Sequence, residues 1–377
     1  MATPALTAER VRRDVEVVAR AGLDLEDFLA EAVESVQRAV PWVGACMATH
    51  DPGTLILTSA RKFGYLRGRD GHDHEFGIIE YGDVEATAFT EMARAEVPAA
   101  GVHLVTHGDV ERSGRMSRFM VPRFGFGDEA RLVFRDGRDV WGAMALFRGP
   151  DDTPFDTAEI DLLSSLSRDF ALGVRAGLLA RMADARPAAA PTGPAVVIVG
   201  ADDQVVQISL GAEQRIAELA VSDATGDPLS PLSALVGAAR RYARGETDVL
   251  PRSRVRAQSG AWLVLHASVL SGTGARAGDV VLTIEEARPP EIVSLVVAAF
   301  GLTQRERDVT QLVLQGVDTK EIAATLHVSA YTVQDHLKSV FDKAGVRSRR
   351  ELIARVYFDQ YLPRMNSELT PSGWFGG

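Results

Sequence analysis

Asp318-Thr-Lys-Glu-Ile-Ala-Ala-Thr-Leu326-His-Val-Ser329-Ala-Tyr-Thr-Val-Gln-Asp-His-Leu337 decides the fold of the C-terminal part of this 377-residue chain. Two helix starts lie within it, each with its own cap: a capping box of Asp318 with Glu321, and Ser329. Ile322 and Leu326 of the first helix, with Val328 in the turn, are spaced to pack on Val333, Leu337, Val340 and Phe341 of the second. Only His327, Val328 and Ser329 separate Leu326 from Ala330, a tight turn of helix-turn-helix length. The same signals recur on both sides. Thr303 and Glu306 form a capping box upstream and Ser348 and Glu351 another downstream, while Gly316 and Gly345 stand where helix C-termini want a left-handed residue. A self-contained unit of four helices is expected.

The spacing of the second helix assigns its faces. With Val333, Leu337, Val340 and Ala344 turned inward, Gln334, Asp335, Lys338 and Asp342 point outward. Gln can pair with adenine, Lys with guanine, and Asp can accept from cytosine, so Gln334, Asp335 and Lys338 are candidate base contacts in a major groove. Lys320, Thr332, Arg347 and Arg349 fall at helix ends, where a phosphate backbone would pass, and are candidate phosphate contacts. Capping and packing alone would look the same in a bundle used only for protein contacts, a signalling or scaffold role. For Lys343, Arg347, Arg349 and Arg350 the plain reading is a solvated helix end favoured by the helix dipole.

Leu302-Thr-x-Arg-Glu-Arg307, Gly316, Lys320-Glu-Ile-Ala323, Val328-Ser329, Thr332-Val-x-x-His336, Lys343-x-Gly345-Val346 and Ser348-Arg349 resemble the LuxR/GerE-type helix-turn-helix pattern over about 55 residues. The resemblance implies a DNA-binding transcription regulator whose third helix reads bases and whose last helix, Arg349–Phe358, mediates dimer contacts. Asp335 departs from the neutral or basic residue found there in many relatives, which weakens phosphate attraction at that point.

Upstream, two breaks divide the chain. The Ala/Pro/Gly run at 183–194 lacks apolar periodicity and reads as a linker, and Arg288-Pro-Pro290 marks a weaker boundary. In the N-terminal part, Asp24 caps a helix whose buried face is Phe28, Leu29, Ala32, Val33, Val36 and Val40. Strands are expected at 43–48 and 54–58, and a hairpin around Asp136-Gly137 joins 131–134 to 140–147. Asp156 and Glu159 box the start of a long helix, with Phe155 and Ile160 as its staple. Val140-Trp-Gly-Ala-Met-Ala-Leu-Phe147, Thr153-Pro-Phe-Asp156 and the helix at 159–175 resemble a GAF domain over about 20–180. That implies a sensor, and the small residues at 142–145 leave room for a pocket. Between the breaks, strands at 195–199 and 204–208, helices near 212–220 and 231–244, and strands at 255–258, 261–270 and 280–285 give an order similar to a PAS domain.

The net charge of −10 speaks at first against a nucleic-acid binder. Counted by region, residues 301–362 hold nine Lys/Arg against eight Asp/Glu, Arg364 and Glu368 cancel, and residues 1–300 carry −11. A unit at +1 must hold phosphate by local contacts. The single cysteine, Cys46, excludes an internal disulfide and reads as a buried free thiol. His72-Asp-His-Glu75, with His103 and His107, lacks helical or strand spacing for a metal and reads as a polar loop. No phosphate-binding loop, HExxH or GxSxG motif appears, so an enzyme is not expected and no cofactor or metal is implied. Nor is there a signal peptide or an apolar stretch of membrane length, which suits a cytoplasmic protein.

The expected fold class is therefore α+β and multidomain. A GAF-like sensor (1–182) and a linker (183–194) precede a PAS-like module (195–290), an all-α helix-turn-helix domain (291–362) and a tail (363–377). The partners implied are double-stranded DNA, a second copy in a homodimer, and a small-molecule or protein effector.

Overall fold

The computed structural model describes residues 4–183, 193–219, 230–271 and 276–357. Two helices open the chain, α1 (Pro4–Arg20) and α2 (Leu25–Gln37). Sequence reading found only the second, where the Asp24 carboxylate accepts from the amides of Glu26 and Asp27. All six expected core residues are buried, although Val40 lies beyond the end of α2 at Gln37. α1 escaped notice because its apolar face is just Val11, Val15 and Ala19, thinly spread among charges.

Strands β1 (Gly44–His50) and β2 (Leu57–Gly64) follow, then α3 (Asp73–Gly82), α4 (Phe89–Met92), β3 (Ala99–Gly101), α5 (Val102–Val105) and, after a π-helical turn at Met116–Met120, α6 (Val121–Phe124). The hairpin β4 (Asp128–Asp136) and β5 (Asp139–Arg148) leads into the long α7 (Thr157–Ala183). The order β2-β1-β5-β4-β3 makes one antiparallel sheet. β4 and β5 are buried nearly end to end because α2 and α7 cover one face, while α3, α4 and the π-helical turn cover the other.

Two expectations need correction here. The second strand lies at 57–64 rather than 54–58: Asp51 to Ile56 is a turn with Leu55 at φ 63°, and Arg61 and Lys62 stand mid-strand, paired with Glu26 and Asp73. Buried ion pairs thus hid the strand's period. His72–Glu75 is not a loop; it begins α3, where Asp73 holds Lys62, His74 Nε2 lies 2.5 Å from the Asp203 carbonyl oxygen and Glu75 pairs with Arg123. The expected Asp156–Glu159 box forms, at 2.9 and 3.1 Å, and Ile160, Leu163, Leu166, Phe170 and Val174 are buried as α7's core face.

The expected linker falls largely at 184–192, outside the described residues. Beyond it come β6 (Ala195–Val199), β7 (Val205–Ile208), α8 (Ala212–Ala217), α9 (Ser230–Ala243), β8 (Arg252–Arg256), β9 (Trp262–Val269) and β10 (Val280–Glu286). The second sheet, β7-β6-β10-β9-β8, repeats the spatial order of the first. α3 and α9 cross closely. A Cβ on Gly237 would sit 2.8 Å from both Gly82 N and Ile78 O, and one on Gly77 would meet the Ser233 hydroxyl.

Only Ala287 and Arg288 separate β10 from α10 (Pro289–Ala299), so the second break is a short junction, held by Ala287 N donating to Trp262 O at 2.8 Å. α10 packs against α7 on one side and against the final helix on the other. The C-terminal unit is α11 (Gln304–Leu314), α12 (Thr319–Leu326), α13 (Ala330–Ala344) and α14 (Arg349–Tyr357). The tail from 358 lies outside the described residues.

Candidate nucleic-acid interface

Each helix of the C-terminal unit starts on a local hydrogen bond. Thr303 and Glu306 close a reciprocal box, with Thr303 N donating to Glu306 Oε2 at 2.6 Å and Glu306 N to Thr303 Oγ1 at 3.3 Å. Of the expected Asp318–Glu321 box only one half forms: the Asp318 carboxylate accepts from Lys320 N at 2.8 Å and Glu321 N at 3.0 Å, while Glu321 does not reach back to the Asp318 amide. Ser329 accepts from Thr332 N at 3.0 Å. At α14, Ser348 accepts from Glu351 N while the Glu351 carboxylate takes Arg347 N at 2.8 Å. Gly316 and Gly345 are left-handed, as their positions require. So is His327 (φ 53°), which ends α12 and turns the chain into α13.

These caps set α12 and α13 across one small core. Ile322, Ala323, Val333, Leu337, Val340 and Ala344 are at most 8% exposed, and Val309, Val313, Leu352 and Val356 complete it. Among the described residues of this unit, Glu306 is the one buried carboxylate. Burial alone would raise it, but bonds from Lys343 (2.6 Å), Ser339 (2.6 Å) and the Thr303 amide outweigh that and hold it down at about 2. Lys343 is therefore committed to a structural pair, and the basic cluster at this helix end reduces to Arg347, Arg349 and Arg350.

On the opposite side of α13, Gln334, Asp335, Lys338 and Asp342 are all exposed, so the predicted division of faces holds. Gln334, Lys338, Asp342, Arg347 and Arg349 share one open cleft of about 550 Å³ with Thr319. Arg349 Nη2 is buried there without an acceptor. Lys320 is exposed one residue beyond Thr319, while Asp335 and Thr332 lie outside the cleft wall. Thr332 is half-buried, its hydroxyl 2.8 Å from that of Ser329. Sequence reading passed over Tyr331, 72% exposed in the first turn of α13. Its position at the start of the groove-facing helix was the available signal.

A short exposed helix set on a tightly turned partner, with cations at its rim and amides and carboxylates along its face, is a helix-turn-helix unit. Residues 301–356 match the family model described as bacterial regulatory proteins, luxR family. The spore germination protein GerE of Bacillus subtilis is 40% identical over 55 residues, which is 15% of this chain and 74% of that protein. The chain belongs to the LuxR family. The transcriptional regulatory protein DesR of Bacillus subtilis is 39% identical over 67 residues, 18% of this chain and 34% of that one. An HTH-type transcriptional regulator of Mycobacterium bovis is 50% identical over 53 residues, and the chain spans only 6% of its length. Among solved structures, the A. aeolicus nlh2 GAF domain in an inactive state aligns at 12% identity and TM-score 0.30, over 45% of this chain and 97% of that one.

Two further sites bear on function. In the first module Arg115 and Arg131 are at most 1% exposed, as are Glu80 and Glu129. Arg131 reaches Glu80 at 2.9 Å and the Thr87 carbonyl at 2.5 Å; Arg115 reaches Glu129 at 2.8 Å and the rim carboxylate Glu85 at 3.3 Å. This network ties α3 and α4 to the sheet. A cavity of about 40 Å³ lies beside it, walled by Phe76, Phe89, Phe119, Phe124 and Phe147 and by Cys46, whose thiol burial pushes up to about 12. Of the small residues expected to leave room, Ala145 lines this cavity. Gly142 serves another end: a Cβ there would lie 2.3 Å from Ala48 O. No helix among the described residues is long and apolar enough to cross a membrane.

Proposed function

We propose that the chain is a sequence-specific DNA-binding transcription regulator that works as a homodimer in the cytoplasm. The observation that carries this reading is the exposed face of α13, where Gln334 and Lys338 stand over one cleft with Arg347 and Arg349 at its edge. Gln334, Asp335 and Lys338 are the base-reading side chains, while Lys320, Thr332, Arg347 and Arg349 hold phosphate. Two copies would place two such helices on half-sites about one helical turn apart.

The region 1–290 supplies the regulatory input, as a GAF-like sensor (1–182) followed by a PAS-like module (195–290). Support comes from the way the two sheets reach α10 and α11. Arg307 at the start of α11 lies 3.4 Å from Asp139 at the start of β5, and Arg254 of β8 bonds the Glu291 carbonyl and the Ser294 hydroxyl of α10. The sensed molecule or protein partner thereby biases how the DNA-reading units are presented.

Full-length protein titrated onto a selected duplex at several salt concentrations tests the first claim. Affinity should fall linearly on a log–log plot against salt, with a preferred sequence. Absence of any preferred sequence would sink it in favour of a protein-binding scaffold.

A further inference from the structure

The two sheets leave four edge strands, β2 and β3 in the first and β7 and β8 in the second. An open edge offers unpaired N–H and C=O groups to any other strand, so folds shorten it, charge it or cover it. Here β2 and β8 pack against one another, and β3 is three residues long beside α7. β7 has none of these protections. Among the described residues it pairs with β6 alone, and all four of its residues are exposed. Val206 is 47% exposed and Ile208 40%, with Val205 and Leu210 exposed beside them. No proline or charged residue falls between Gln204 and Ala212.

This open edge has a register of its own. Ser209 N donates to Val196 O at 2.8 Å and Gln207 lies opposite Ile198, so these two residues turn their backbone groups to β6. Alternation along the strand then turns the N–H and C=O of Val206 and Ile208 outward. Suppose a second β7 runs antiparallel to the first, about a two-fold axis at Gln207. Val206 of each copy then lies opposite Ile208 of the other. Both are positions where a pair exchanges two bonds, so the outward backbone groups of both strands are matched. Their branched side chains fall on one face of a single continuous sheet. Val-Gln-Ile has the same character in either direction, which is what a self-pairing strand needs.

Charge selects the occupant. Residues 1–300 carry −11, so two copies repel over most of their surface and must meet where charge is missing. The stretch from Gln204 to Ala212 is such a place, and the carboxylate just before it, Asp203, is matched by Arg240. A charged partner segment would find no counter-charge along this strand.

We infer that β7 is a dimer seam of this chain, joining the second sheets of two copies edge to edge with Gln207 on the axis. The seam rests on the homodimer reading above and places a contact of that dimer in the second module, apart from α14. A contact of this size suits a weak dimer in the free protein, which two half-sites on one duplex would tighten.

Sedimentation equilibrium of the full chain over a concentration series tests the seam, and the parent should dimerise. Ile208→Lys should weaken dimerisation about tenfold or more. Its melting temperature should stay in place, since the side chain is exposed in the single copy. Mixing that variant with Val206→Glu should restore the dimer, because this register sets the new ammonium opposite the new carboxylate. Gln207→Cys should give a disulfide-linked dimer on mild oxidation, since the Cα atoms of a non-hydrogen-bonded pair lie about 4.5 Å apart, within disulfide reach. Cys46 does not compete, because burial pushes its thiol up to about 12. Gln315→Cys, exposed in the C-terminal unit, should link far more slowly. Unchanged dimerisation of Ile208→Lys, or linking of Gln207→Cys no faster than that of Gln315→Cys, overturns the seam and leaves the homodimer to another surface. A parent that is monomeric at every concentration overturns both, and leaves the DNA-reading claim standing.

Discussion

Charge is buried and matched in the first module, and displayed at the surface of the C-terminal unit. Arg115 and Arg131 are enclosed with Glu80 and Glu129, far from solvent. Lys320, Lys338 and Arg347 stand exposed, and none of them forms an ion pair within 4 Å among the described residues. A guanidinium inside the protein must be repaid on the spot by carboxylates, and its service is to hold helices in register. An ammonium on the rim is hydrated and free to meet a polyanion. Glu306 joins the two regimes, a buried carboxylate that recruits the surface lysine Lys343.

Breaking the enclosed network should have the largest effect. Arg131→Ala leaves the buried Glu80 and Glu129 with Arg115 as their one remaining cation and should cost about 3–5 kcal/mol, read as a lowered melting temperature of the full chain. A loss below about 1 kcal/mol would mean that the network is not a lock. Glu306→Gln should cost about 2 kcal/mol, because the carboxylate accepts three bonds inside the helical core. Its folded value near 2 lies below the ordinary 4.5. The contribution is thus complete above about pH 4.5 and drains away as pH falls towards 2. Acid melts of parent and variant should converge over that window, and parallel curves would refute the assignment.

At the displayed end, Gln334→Ala and Lys338→Ala should leave the melting temperature in place, since both side chains are exposed. Each should remove about 1–2 kcal/mol of discrimination between preferred and other sequences. An unchanged preference in a selection experiment on both variants would end their base-reading role. The smallest change is expected for Lys320→Ala and Arg347→Ala. Each should weaken binding evenly across sequences and flatten the salt dependence by about one charge. Selective loss on the preferred site would mean that they touch bases.

The same contrast explains what the sequence discloses. The C-terminal unit was legible because each cap lies within three or four residues of the amide it serves, as Thr303–Glu306 and Ser329–Thr332 show. The exposed face of α13 followed from spacing alone. The order of the second sheet was also readable from turn residues such as Asp203 and Gly260, but not every bound: β8 lies at 252–256 where 255–258 was expected, because Ala257 to Gly260 form the turn into β9. The first module hid its most telling parts. Glu80 and Arg131 are 51 residues apart, and Arg61 and Lys62 look like solvent residues until Glu26 and Asp73 are seen beside them.

The crossing of α3 and α9 has a kinematic consequence. Where the backbones meet at Gly82 and Gly237 there is no room for a side chain on Gly237, so this point of the seam cannot take one there without moving the helices apart. The two modules can then translate or tilt only together, like plates joined along an edge. The sheets thus meet the C-terminal unit along two lines, through α10 by way of Arg254 and directly at α11 by way of Asp139 and Arg307.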